Sequence, residues 1–238
     1  MGVIASFFVL CVALHTIYLH AMASSSSSVK RILVTGGNKG IGKAICERLL
    51  SEWQDTHVLM GSRDVTRGQR AVQDIVKRLG KEVESRLSVL QLDTTSDSSV
   101  KQAASQCQDE LYGIINNAGV GWGFTMEETV NVNYFGPRRV NDAFGKLLKR
   151  PGGRIVNIAS ASGPNFLQDL RDDDDLKTKL HMPWLISGRI EELDEMARNM
   201  KGSNHYGASK ALLNAYTVLH AKLDPDLIIN SVTPGFIL

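Results

Sequence analysis

Residues 35–42, "TGGNKGIG", have the types and spacing to hold an anion. A short apolar run, "RILVT", precedes them, and Ile41, Ile45 and Leu49 then recur every fourth residue as one face of a helix. Gly36 permits a tight turn, Gly40 lets the backbone approach a pyrophosphate, and Gly42 allows close packing of helix on strand. Anionic oxygens at such a junction rest on the unpaired N–H groups of the helix start. The spacing is TGxxxGxG rather than GxGxxG, and the strand–turn–helix setting separates it from an ordinary glycine turn.

The second strand, "HVLMG", leads into Gly61, Ser62 and Arg63. A dinucleotide fold that takes NAD normally places an acid there for the ribose 2′-hydroxyl. Arg63 instead offers a planar fork suited to a 2′-phosphate, and Lys39 in the glycine loop adds a second charge. These residues point to NADPH/NADP; the competing reading is two solvated surface cations.

The elements that must position these residues alternate. "LSVLQL", "GIINNAG", "RIVNIAS" and "LIINSV" read as further strands. Ala71, Val72, Ile75, Val76 and Leu79, and then Val100, Ala103, Ala104 and Cys107, fall at helical spacing. Residues 129–148 and Tyr206 to Leu223 read as two more helices. Strands alternating with helices imply parallel pairing, hence an α/β fold: a single-domain, doubly wound, Rossmann-type parallel sheet ending after its sixth strand. The stretch from Gly163 to Ser203 is too long for a plain connection and reads as a helical insertion at about 163–204, with "DDDD" at 172–175 as a solvated face.

The chain has 238 residues, and its 27 Lys and Arg against 25 Asp and Glu leave a net charge of +2. No long basic block argues for nucleic acid. Cys11, Cys46 and Cys107 show neither a disulfide framework nor metal-ligand spacing, and are read as buried or idle thiols. Residues 1–28 are read as leader and Ser-rich linker, with 29–238 as the NADPH-binding domain. An apolar run from Val3 to Leu14 and "AMA" at 21–23 suit a signal or anchor, whereas a start at Met22 suits a cytoplasmic protein. A membrane partner follows only if residues 1–23 are retained.

"TGGNKGIG", "NNAG" at 116–119, "NYFG" at 133–136, "IVNIASASG" at 155–163 and "YGASK" at 206–210 occur in order. Together they resemble the short-chain dehydrogenase/reductase superfamily. "GSRDVTRGQ" at 61–69 resembles its NADPH-dependent carbonyl-reductase branch, a largely monomeric group. The resemblance spans about Arg31 to Gly235 and implies reduction of a ketone or aldehyde. It makes Tyr206 the acid and Lys210 its helper, with Ser160 hydrogen-bonding the substrate oxygen and Asn133 holding a water that resupplies protons. Tyr206 and Lys210 are i and i+4 on one helical face, and an ammonium there favours the phenolate.

The same resemblance implies cofactor contacts from Gly36, Asn38, Lys39, Gly40, Ile41 and Gly42 in the loop and from Arg63. Asp93 and Thr94 after the third strand would meet the adenine, and Asn117, Ala118 and Gly119 the adenosine ribose side. Tyr206, Lys210, Pro234, Gly235 and Ile237 complete the set. His205 is read as a surface residue. The implied partner is a small carbonyl compound and the implied state a monomer. Reaction direction is left open.

Two departures from the family pattern bear on this. Ser160 and Tyr206 are 206 − 160 = 46 positions apart, an insertion that the carbonyl-reductase branch shares. After Gly235 only Phe236, Ile237 and Leu238 follow, where relatives continue into a substrate loop. The expectations are a weakened pocket and an exposed last strand. The rival reading is a silent NADPH-binding protein or an incomplete gene product.

Overall fold

The structure is a computed structural model that describes residues 29–171, 175–185 and 189–235. The leader assigned to 1–28, most of the acid run and Ile237 lie outside the described residues. No helix among the described residues is long and apolar enough to cross a membrane.

The strands are β1 (Lys30–Thr35), β2 (Thr56–Ser62), β3 (Leu87–Gln91), β4 (Gly113–Asn116), β5 (Arg154–Ile158) and β6 (Ile228–Val232). They form one six-stranded sheet in the order β3-β2-β1-β4-β5-β6, and every pairing is parallel. This is the doubly wound Rossmann-type sheet that the alternation predicts. The strand order reverses between β1 and β4, and the loops leaving these two strands border the crevice where such folds bind ligands. Ile32, Leu33 and Val34 of β1 are buried, as a strand covered on both faces requires.

Helices α1 (Gly40–Glu52), α2 (Val65–Leu79) and α3 (Asp97–Gln106) follow β1, β2 and β3. The face of α1 pressed on the sheet is Gly42, Cys46 and Leu50. Ile41, Ile45 and Leu49, the predicted stripe, flank it half-buried. Gly42 and Cys46, smaller than the residues of the stripe, take the closest part of the contact because the helix lies very close to the strand ends: a Cβ on Gly37 would stand 3.1 Å from the Cys46 sulfur. Burial pushes the Cys46 thiol up to about 12, so it behaves as a small apolar side chain.

The helical stretch predicted at 129–148 is α4 (Met126–Val130), a π-turn (Asn131–Phe135), α5 (Gly136–Phe144) and a 3₁₀ turn at Gly145–Leu147. Between β5 and the long α9 (His205–Leu223) stand α6 (Ser162–Asp169), α7 (Asp175–His181) and α8 (Ile190–Arg198). Leu193 and Ala197 of α8 pack with Val130, Tyr134 and Tyr216 in one apolar cluster. The Tyr134 hydroxyl donates to Asp194 Oδ1 at 2.8 Å, and Arg138 Nε lies 3.4 Å from the same oxygen. Burial and the Asp194 carboxylate push the Tyr134 phenol well above its ordinary range, so it remains a donor.

A buried amide network crosses the middle of the sheet. Asn116 Nδ2 donates to Asn141 Oδ1 and to Asn157 Oδ1, both at 2.9 Å. Asn157 in turn donates to Thr217 at 2.8 Å and Asn141 to the Tyr216 hydroxyl at 3.1 Å. Asn116 and Asn157 are register partners on β4 and β5. Strand β6 is the far edge of the sheet, with Ile228 and Val232 exposed.

The end of α1 depends on a residue far along the chain. Arg86 donates to the carbonyls of Leu50 (3.0 Å), Trp53 (3.0 Å) and Thr56 (3.3 Å). A guanidinium there satisfies the Leu50 carbonyl in the last turn of the helix, joins the helix end to the start of β2, and meets the negative end of the helix dipole. Arg86→Ala is expected to cost about 2 kcal/mol of unfolding free energy. Arg86→Lys should recover only part of it, because an ammonium lacks the planar fork. Urea unfolding of the variants checks both, and an unchanged midpoint for Arg86→Ala would refute the role.

Candidate active site

The glycine loop has the backbone of a cradle. Gly36 and Gly40 have positive φ, 63° and 52°, which side-chain-bearing residues rarely adopt. A Cβ on Gly42 would lie 2.3 Å from the Gly36 oxygen and 2.4 Å from Asn117 Nδ2, so only glycine fits. Nothing stands within 4 Å of a Cβ placed on Gly40, which faces open space. The N-cap of α1 is Lys39, with no side-chain capping bond and no acid in the first turn. The N–H groups there are therefore not taken by a capping side chain. Asn38 and Ile41 are half-buried beside them.

Arg63 projects exposed from the end of β2. The Ser62 hydroxyl donates to the Asp64 carbonyl at 2.7 Å, and Asp64 caps α2 by accepting from Arg67 N–H at 3.0 Å. This fixes the turn on both sides of Arg63. Neither Arg63 nor Lys39 forms an ion pair among the described residues. The cradle, the open N-terminus and two uncommitted cations fit a dinucleotide with an extra phosphate.

The loop after β4 is tied to the loop after β1. Thr35 Oγ accepts from the N–H groups of Asn117 and Ala118, both at 3.0 Å. Asn117 Nδ2 donates to the carbonyls of Thr35 (2.9 Å) and Gly36 (3.2 Å). The Asn117 side chain, expected on the ribose side, is thus directed into the protein, because it is the donor for two strand-end carbonyls. Asp93 Oδ1 accepts from Thr95 N (2.9 Å) and Thr95 Oγ (2.7 Å), so half of its carboxylate shapes its own loop. Thr94 is buried beside Gly136.

Asn133 sits in the π-turn and its side chain is fully engaged. Oδ1 accepts from Val120 N at 2.9 Å, while Nδ2 donates to the Val120 carbonyl (2.9 Å) and to Ser209 Oγ (3.0 Å). Both amide donors are in use, so a bridging water would have to donate, to Oδ1 or to the main-chain carbonyl. Pro137, four residues on, has no N–H to offer that carbonyl. A Cβ on Gly119 would stand 3.1 Å from Asn133 Oδ1 and 3.9 Å from Lys210 Nζ, which brings these three positions together.

Helix α9 carries Tyr206 and Lys210. Asn204 caps it, accepting from Gly207 N at 2.9 Å. Lys210 is 6% exposed and its Nζ donates to the Ile158 carbonyl at 2.7 Å. That nitrogen lies 5.7 Å from the centroid of the Tyr206 ring. Burial lowers the Lys210 ammonium to about 8. Ser160, at the turn after β5, donates from Oγ to Ser162 Oγ and accepts from Ser162 N, both at 3.2 Å.

Four contributors carried no signal strong enough to find in the sequence. Ser209, fully buried, accepts from Asn133 and donates to the Tyr206 carbonyl at 2.8 Å. Gly163 lets α6 approach α9: a Cβ there would stand 2.9 Å from the Lys210 main chain. His205, read as a surface residue, is half-buried, with Nδ1 at 2.9 Å from the Phe124 carbonyl. Trp122 lies against Tyr206, ring centroids 5.6 Å apart at 39°. Pro234 and Gly235 are exposed, outside this group of bonds. The described residues hold no group of three or more His, Cys, Asp or Glu able to bind a metal.

Comparison with known proteins places this geometry. (+)-Neomenthol dehydrogenase of Arabidopsis thaliana is 32% identical, over 86% of this chain and 82% of that protein. Carbonyl reductase (NADPH) 1 of Homo sapiens is 29% identical, over 89% and 83%. Menthone neomenthol reductase from Mentha piperita superposes with a TM-score of 0.66 at 26% identity, covering 86% of this chain and 89% of that one. An NADPH-bound carbonyl reductase from chicken fatty liver gives 0.59 at 25% identity, covering 86% and 78%. The family model described as short chain dehydrogenase matches residues 30–168, the part that carries the glycine cradle, Asn117, Asn133 and Ser160. The sheet order, the motifs and these relatives agree: the chain belongs to the short-chain dehydrogenase family.

Proposed function

We propose that the protein is an NADPH-dependent carbonyl reductase that converts a ketone or aldehyde to an alcohol. The observation that carries this reading is Lys210: a lysine with no carboxylate partner among the described residues, 6% exposed, beside the Tyr206 ring. Burying an ammonium is costly, and such groups cluster where their chemistry is used. The relatives named as NADPH carbonyl reductases support it.

In this reading the glycine cradle and the start of α1 bind the pyrophosphate, and Arg63 and Lys39 bind the 2′-phosphate. Asp93, Thr94, Ala118 and Gly119 line the adenosine side, with Asn117 acting through the loop it braces. A bound nicotinamide supplies the hydride. Tyr206 gives its hydroxyl proton to the carbonyl oxygen as that oxygen gains charge. Ser160 turns from its 3.2 Å contact with Ser162 to donate to the same oxygen. The Lys210 ammonium stands beside the ring that gives up the proton, and the main-chain carbonyl of Asn133 holds the water that returns it. The buried seam of α8 on α9 and the π-turn covers a helical surface, in keeping with a monomer.

NADPH is expected to bind at least tenfold more tightly than NADH, given two charge-assisted contacts of roughly 1.5–3 kcal/mol each. Fluorescence titration with both cofactors checks this, and Arg63→Ala should narrow the gap; equal affinities in the wild type would sink the assignment.

Tyr206→Phe should abolish NADPH oxidation with any carbonyl substrate while leaving NADPH affinity nearly intact. Retained turnover in that variant would remove Tyr206 from the role of acid.

Lys210 also sets a pH dependence. Its folded value, about 8, lies below the ordinary 10.5 because burial disfavours the charged form. Below about pH 8 the ligand-free fold therefore bears the cost of a buried ammonium, which is relieved as pH rises toward 10.5. Relative to Lys210→Met, the wild type should gain up to about 3 kcal/mol of stability across that window. Denaturant unfolding of both proteins from pH 7 to 10.5 reads the difference; a constant difference would contradict a lowered Lys210.

A further inference from the structure

Trp122 is 86% exposed, yet its ring lies against Tyr206, tilted by 39° with the ring centroids 5.6 Å apart. So open an indole adds little to the core, and its free face is apolar surface left facing water. The loop that presents it is anchored on both sides. Val120 is held through its N–H and carbonyl by Asn133, and the Phe124 carbonyl meets His205 Nδ1 at 2.9 Å. Between the anchors Trp122 is flanked by Gly121 and by Gly123, whose φ is 88°. Neither glycine is crowded: a Cβ on either would meet nothing within 4 Å. Neither glycine therefore serves close packing, and Gly123 supplies a backbone conformation that side-chain-bearing residues rarely adopt. Phe124, 44% exposed, adds a second aromatic side chain to the same segment.

We propose that Trp122 is a specificity-determining wall of the substrate site, and that it favours a planar conjugated carbonyl compound over a saturated one of the same skeleton. The inference rests on the carbonyl-reductase reading. A carbonyl oxygen that accepts from the Tyr206 hydroxyl sits about 2.6–3.2 Å from it, which keeps the rest of a ring-sized substrate within reach of the indole. A flat, electron-poor π-system covers an indole face in the offset geometry that aromatic pairs adopt. A puckered saturated ring covers it less completely. A stacked pair of this kind is worth about threefold to tenfold in binding.

The test compares acetophenone with cyclohexyl methyl ketone, which share a skeleton and differ in the ring. With NADPH, the ratio of their kcat/KM values should fall about fivefold in Trp122→Leu and stay within twofold of wild type in Trp122→Phe. An unchanged ratio in Trp122→Leu, or equal loss toward both ketones, overturns the proposal. A second readout needs no turnover. In the presence of NADP, acetophenone should quench the wild-type tryptophan emission saturably, whereas Trp122→Phe, with only Trp53 and Trp184 left, should show linear collisional quenching. Saturable quenching in both proteins, or linear quenching in both, overturns it. If the wild type reduces neither ketone, the carbonyl-reductase reading fails on its own, and the quenching titration still decides whether Trp122 meets the planar ketone.

Discussion

The clasp between Asn117 and the end of β1 is the constraint on which the site depends. In a parallel sheet whose order reverses between β1 and β4, two loops leave neighbouring strand ends in divergent directions. Nothing in strand pairing holds those loops together. Here the Thr35 hydroxyl accepts two N–H groups from the β4 loop, and the Asn117 amide donates back to two carbonyls of the β1 loop. Removing either side chain would leave strand-end backbone groups without partners, which costs more than the bonds themselves contribute. The clasp also explains Gly42, because Asn117 and the Gly36 carbonyl occupy the space that a side chain there would need.

From that point the polar interior builds outward in steps. Asn116, one residue before the clasp, ties β4 to β5 and α5 by donating side-chain hydrogen bonds at 2.9 Å. Asn157 and Asn141 carry the network to Thr217 and Tyr216 on α9. These bonds are directional, so they fix the rotation and register of α9 where an apolar contact alone would tolerate sliding. Lys210 and Tyr206 lie on that helix. The Ile158 carbonyl at the end of β5 holds the ammonium, which keeps a costly buried charge in one place.

The segment between β5 and α9 packs against α9 and the π-turn. Gly163 brings α6 against the Lys210 backbone, and Asp194 of α8 anchors on Tyr134 of the π-turn and on Arg138 of α5. The π-turn is the element that aims Asn133 at Val120 and Ser209, so α8 supports the site without reaching it. The extra residue in a π-turn is a local cost that surrounding contacts must sustain. Val120 and Phe124 fasten the loop that carries Trp122.

The sequence by itself determined the sheet, the order of its elements and the motif residues. Hydrophobic period and glycine placement are local properties, and Gly36, Gly40 and Gly42 announce a turn whatever surrounds them. Ile41, Ile45 and Leu49 signalled the helix correctly, yet the face that meets the sheet is Gly42, Cys46 and Leu50. Periodicity gives the stripe, and only the neighbouring strand ends decide how close the helix can come. Tertiary structure alone decided where the polar side chains point. Asn117 and Asn133 are spent on backbone groups 82 and 13 positions away. Ser209, Gly163, His205 and Trp122 gain their surroundings only when distant loops fold against α9. A hydrogen bond or a close approach across such a separation leaves no trace in spacing along the chain, because its partner is chosen by packing and by the need to satisfy buried polar groups.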